Sequence, residues 1–132
     1  MSFELRPLEP SDAPRCIQIY FDAFQNAHSI GCWPRTDAVR KWWEDMLVAE
    51  LSQAGSHHFK VIHVPSGEIA SWGKWRKFQE GQKSDQDLPA AWPEGSDKRL
   101  ADETFGAWMG EHPKIMGVRA HWCESPVEGG FS

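Results

Sequence analysis

His58-Phe59-Lys60-Val61-Ile62-His63-Val64, then Pro65-Ser66-Gly67-Glu68, then Ile69-Ala70-Ser71-Trp72-Gly73-Lys74-Trp75 is the stretch on which the fold turns. Its first seven residues alternate in a β-branched context. Phe59, Val61 and His63 fall on one side of a strand, Lys60, Ile62 and Val64 on the other. Proline, serine and glycine then supply a turn, and a second apolar run returns, so the segment predicts a β-hairpin. Gly73, between Trp72 and Lys74, predicts a bulge or a close backbone approach. Without a bulge Trp72 and Trp75 face opposite sides; a bulge at Gly73 would turn both towards a cleft.

Upstream, Phe3-Glu4-Leu5-Arg6 alternates with period two and stops at Pro7, which predicts a short strand. Ser11 or Asp12 caps a helix whose apolar residues Ala13, Cys16, Ile17, Tyr20, Ala23 and Phe24 recur three and four apart. Pro14 belongs in its first turn, where a missing amide proton does no harm. Residues 25–34 have no period and read as an ordered loop. A second helix starts at a Thr36 or Asp37 cap and gathers Val39, Trp42, Trp43, Met46 and Leu47 on one face, ending near Gly55. Adjacent helical residues diverge, so one of Trp42 and Trp43 points inward and the other to the flank.

Downstream, residues 79–97 read as a polar loop. Asp97 then caps a helix bearing Leu100, Ala101, Phe105, Trp108 and Met109, expected to stop near Gly110 or Pro113. Residues 114–132 show no sustained period and are expected to form a weakly ordered tail. The fold class is α+β: a short antiparallel sheet, two amphipathic N-terminal helices and a later helix.

Composition bounds the function. A chain of 132 residues holds one domain, residues 1–132, with little room for a second core. The formal net charge of -5 weighs against grip on a phosphate backbone, so no nucleic acid is expected. No run approaches a membrane span and the start lacks a signal-peptide pattern, so no membrane is expected and the default address is cytoplasmic or nuclear. Cys16, Cys32 and Cys123 are an odd, scattered set, and reduced thiols are expected. Eight tryptophans predict an aromatic-rich core or cleft.

Strand, helix, loop, helix and hairpin is also the opening element order of the GNAT superfamily of acyl-CoA-dependent N-acetyltransferases, and the residues resemble it. Phe3-Glu4-Leu5-Arg6-Pro7-Leu8-Glu9-Pro10-Ser11-Asp12 looks like that family's first strand leading into its first helix. Tyr20-Phe21-Asp22-Ala23-Phe24 resembles the end of that helix, especially in fungal members, and residues 67–75 resemble its hairpin. The resemblance covers residues 3–78; residues 105–110 and 115–122 look like the region before the family's fourth strand.

That resemblance implies transfer of an acetyl group from acetyl-CoA to a small amine or peptide. In the family, a glycine-rich helix start holds the cofactor pyrophosphate through converging backbone amides. This sequence has no such segment, and Gly129-Gly130 is followed by only two residues. The expectation is therefore an incomplete GNAT-like fold, a fragment or shortened gene product that keeps the N-terminal, substrate-side half and is inactive alone. Its third strand would be left as an exposed edge, to be covered by a homodimer, which is favoured, or by a later helix and tail folded over it. The alternative is a non-enzymatic interaction protein that uses that edge.

His28 and Trp33 lie where the resembled family builds part of its acceptor pocket, and Trp72 joins them as a substrate-binding candidate; packing or capping is the competing role for each. Glu68, Glu80 and His63 are conceivable bases for the proton an attacking amine loses, and no catalytic residue is assigned. His57 and His63 share a strand face opposite His58, and His121 and Cys123 are two apart; without a CxxC or HExxH pattern, no metal is expected. Cys16 belongs to the apolar stripe of the first helix. Cys32 is expected to be the more exposed thiol.

Overall fold

A computed structural model describes residues 2–82, 89 and 91–124. Residues 58–63 of the alternating run make up the C-terminal part of strand β2 (Ser56–His63), which pairs antiparallel with β1 (Phe3–Pro7) on one side and β3 (Glu68–Phe78) on the other. The hairpin turn occupies 64–67, where Gly67 takes a φ of +72° and its N–H donates to the His63 carbonyl. A fourth strand, β4 (His121–Glu124), pairs antiparallel with β3, so the described strands run β1-β2-β3-β4 in one sheet.

The bulge is not at Gly73, which pairs regularly with Phe59. The register shifts between Val61 and Ile62: Val61 faces Ser71 while Ile62 faces Ile69, and Ala70 is the extra residue. Alternation therefore continues unbroken from Ser71 to Phe78. Trp72 is 1% exposed on the helix-covered face, and Trp75 is 43% exposed on the other.

Between β1 and β2 the chain forms a 3-10 turn (Pro10–Asp12) and helices α1 (Ala13–Ala23), α2 (Ala27–Cys32) and α3 (Asp37–Leu51). Helix α2 lies inside the stretch expected to be a loop. Six residues are too few to show a period, but Asn26 caps it by accepting the Ser29 N–H at 2.8 Å. Thr36 caps α3 in the expected way, accepting the Val39 N–H at 3.2 Å.

Helix α4 (Lys98–Met116) starts at the expected Asp97 cap but runs through Gly110 and Pro113. Both residues weaken a helix interior. Packing overrides them: Met109 is buried and the His112 ring meets Phe78 edge-on, with centroids 5.2 Å apart. The helix ends at Gly117, φ +56°. The tail expectation thus changes for its first part, since residues 114–116 complete α4 and 121–124 form β4; residues 125–132 lie outside the described residues, as do 83–88 and 90 of the expected polar loop.

The helices cover one face of the sheet. Against it they bury Ile17, Val39, Trp43, Leu47 and Trp72, and the Trp72 indole N–H donates to the Cys16 carbonyl at 2.8 Å. Burying one such tryptophan side chain stabilises the fold by about 3 kcal/mol. The covered face also holds charge. Lys60 pairs with Asp12 at 2.6 Å and Lys74 with Glu50, whose carboxylate also lies 3.9 Å from His58. At the C-terminal end of α3, Gly55 (φ +80°) approaches β3 so closely that an added Cβ would lie 2.7 Å from the Lys77 carbonyl oxygen.

Candidate functional site

Short helix α2 carries the chain from the end of α1 across to α3, and its side chains meet α4. The junction forms a half-open pocket of about 200 Å³, with Trp108 at its exposed side. Its aromatic wall is Tyr20 and Phe24 from α1, Trp33 just after α2, and Phe105 and Trp108 from α4. Phe105 and Trp108 are three apart on one helix face, and their rings meet edge-on at 5.3 Å.

The polar groups lie along α2 and the facing turn of α4. His28 Nε2 lies 3.0 Å from Thr104 Oγ1, a hydrogen bond that ties α2 to α4 across 76 residues of sequence. Asn26 is engaged by the Ser29 amide, and Ser29 Oγ lies 3.4 Å from the Arg35 guanidinium. Arg35 also donates to the carbonyls of Trp33 and Phe24, so it fixes the chain around α2 from behind the cavity. No Asp, Glu, Lys or Arg lines the space.

Of the three substrate-binding candidates, the fold brings His28 and Trp33 together at this cavity and leaves Trp72 out. Trp72 is a core residue: regular pairing at Gly73 turns it under the helices, where its indole proton is consumed by α1. Trp33 is itself 1% exposed and forms the cavity floor within an aromatic cluster. Its ring meets Trp43 edge-on at 5.0 Å, stacks on Phe105 at 5.5 Å and tilts against Trp92 at 5.1 Å. Trp92, from the expected polar loop, is anchored by its indole N–H donating to Asp102 at 2.6 Å.

The conceivable bases do not reach the cavity. His63 Nδ1 lies 2.7 Å from Ser66 Oγ at the hairpin turn, Glu68 begins β3, and Glu80 accepts the Ala120 N–H at 2.9 Å, holding the approach to β4. Cys32 lines the cavity but is 1% exposed, contrary to the expected exposure, and burial raises its thiol pKa. Cys16 is buried in α1, and desolvation pushes its pKa up to about 12. Neither thiol is an activated nucleophile. His57 and His63 share a face of β2 but stand at opposite ends of it. Among the described residues no group of three His, Cys, Asp or Glu side chains is placed to hold a metal ion.

Acidic residues stand at three helix starts. Asp12 precedes α1 with its carboxylate turned to Lys60 and the Glu9 N–H, Asp37 opens α3, and the Asp97 carboxylate takes the Leu100 amide at the start of α4. At α4 an incoming phosphate would meet a carboxylate already seated on the amides, which disfavours an anion there.

The chain matches no family model and no curated protein. The solved structures to which it is similar include two acetyltransferases. Glucosamine-6-phosphate N-acetyltransferase from Arabidopsis thaliana is 16% identical, with 89% of this chain and 78% of that chain covered and a TM-score of 0.42. Ribosomal-protein-S5-alanine acetyltransferase from Vibrio fischeri is 16% identical, with 89% and 67% covered and a TM-score of 0.40. Likeness at that level fixes no chemistry, which has to come from this chain's own residues.

Proposed function

We propose that this chain is a GNAT-like domain that holds a small amine in the cavity between α1, α2 and α4 and does not by itself transfer acetyl from acetyl-CoA. The cavity carries the reading. It gathers His28 and Trp33 at the segment where the resembled family places its acceptor, and it is concave and mostly apolar with a few polar groups, as small-molecule sites are. The carboxylate seated at the start of α4 supports the second half of the proposal. Calorimetric titration with acetyl-CoA, and with small primary amines, tests both halves. Amine binding without acetyl-CoA binding is expected; micromolar acetyl-CoA binding with release of coenzyme A in the presence of an amine would restore the enzyme.

A specific observation favours a second reading, association with another copy. The edge of β3 that was expected to be bare is paired with β4 at Trp75–Phe78, while Glu68–Lys74 have no strand beside them on that side among the described residues. The open face of the sheet is another matter. It exposes Phe3, Leu5, Trp75 and Trp122, which the register places on the side away from the helices. Exposed apolar faces of this kind favour association. Sedimentation equilibrium of the protein and of Leu5→Lys separates the cases: a dimer abolished by the substitution supports the second reading, and a monomer at high concentration removes it.

A further inference from the structure

We propose that the cavity between α1, α2 and α4 takes an uncharged molecule built on a single aromatic ring, with one short hydrogen-bonding arm directed at the His28–Thr104 pair. This rests on the reading of the cavity as the amine site and names its ligand class. Size sets the ring count. An apolar cavity of about 150 Å³ accommodates benzene, so the 200 Å³ here leaves roughly 50 Å³ for an arm of one or two heavy atoms. A fused bicyclic body with an arm would project through the open side into solvent.

Charge is set by the lining. Five aromatic side chains form the wall and no Asp, Glu, Lys or Arg lines the space, so a charged ligand would give up part of its hydration without a carboxylate, ammonium or guanidinium partner. An amine is therefore bound in its neutral form, because desolvation disfavours the ammonium; that is also the form with a lone pair to donate. A ring is favoured over an aliphatic body because Trp33, Phe105 and Trp108 already pack in stacked and edge-on arrangements that an added ring extends. On the α4 side of the lining the arm meets Thr104. The Thr104 hydroxyl offers a donor and two acceptor sites, more than its contact with His28 Nε2 uses.

The test is calorimetry at pH 7.5 with aniline, toluene, benzoate, benzyltrimethylammonium and cyclohexylamine, on the full chain and on Thr104→Val. Aniline should bind with a dissociation constant of about 0.1–1 mM, the range open to a ligand of so few atoms. Benzoate and benzyltrimethylammonium should bind at least about tenfold more weakly, as expected for a buried charge without a partner. Thr104→Val keeps the side-chain shape and removes the hydroxyl. It should weaken aniline about threefold to tenfold and leave toluene unchanged. Binding of cyclohexylamine as tight as aniline, or preference for the quaternary ammonium through the ring faces, would overturn the ligand class while the amine site stands. No binding by any of the five would overturn both.

Discussion

Replacing Trp33 by alanine separates two roles that the structure assigns to one side chain, floor of the cavity and centre of the aromatic cluster. The ring is 1% exposed and lies within 5.0–5.5 Å of Trp43, Trp92 and Phe105, centroid to centroid. Truncating a buried tryptophan costs about 3–5 kcal/mol in lost transfer energy and cavity formation. For 132 residues the unfolding entropy is about 0.28 kcal/mol per kelvin, so Tm should fall by about 11–18 °C. A domain stability of about 5–15 kcal/mol leaves the variant folded at low temperature in most of that range. Far-UV circular dichroism during heating and urea denaturation is the assay, since intrinsic fluorescence would change with the loss of the fluorophore itself. Trp33→Phe, which keeps a ring against Phe105, should lose about half as much. A drop below about 4 °C for the alanine variant would refute the placement of Trp33 at the centre of the core.

Three other perturbations address different parts of the molecule. Lys74→Met leaves the Glu50 carboxylate buried beside His58 without its ammonium partner and should cost about 3–5 kcal/mol in urea denaturation, most of it recovered by adding Glu50→Gln. The His112 pKa is held below the ordinary imidazole value of 6.5 by burial, with His121 and Arg76 adding like charge. A base lowered on folding contributes stability above its unfolded pKa. Tm should therefore decline as pH falls below about 6.5, and His112→Gln should flatten that part of the profile. Alkylation of the native protein at pH 8 should modify Cys123 first, with Cys16 and Cys32 protected by burial and raised pKa; labelling of Cys16 at a similar rate, read by peptide mass, would contradict its place in the core.

The hairpin, the first strand and the starts of α1, α3 and α4 were legible because each rests on a local signal. Alternation marks β1 to β3, and Thr36 and Asp97 cap α3 and α4 at the positions their side chains predict. That one of Trp42 and Trp43 turns inward and the other lies at the flank follows from helical spacing; that Trp43 is the inward one was decided by packing. Helix α2 escaped notice because six residues carry no period, and β4 because four residues pair only once β3 is there to receive them. The length of α4 was underestimated because Gly110 and Pro113 argue locally for a stop that contacts with Phe78 overrule. Of the candidate site, His28 and Trp33 were found through resemblance. Phe105 and Trp108 had a helical-stripe signal but nothing to say what they would face, and Trp72 lies in the core away from the pocket because the position of the bulge decides which side of the strand it occupies.

What the amino-acid sequence determined by itself was the class of the fold and the identity of its apolar faces, since periodicity and capping act over a few residues and need no partner. What only the tertiary structure decided was the cavity: Tyr20, His28, Trp33, Thr104 and Phe105 come together because α4, far along the chain, docks on α2. Which surfaces meet depends on packing summed over the whole chain, and no local pattern encodes that sum.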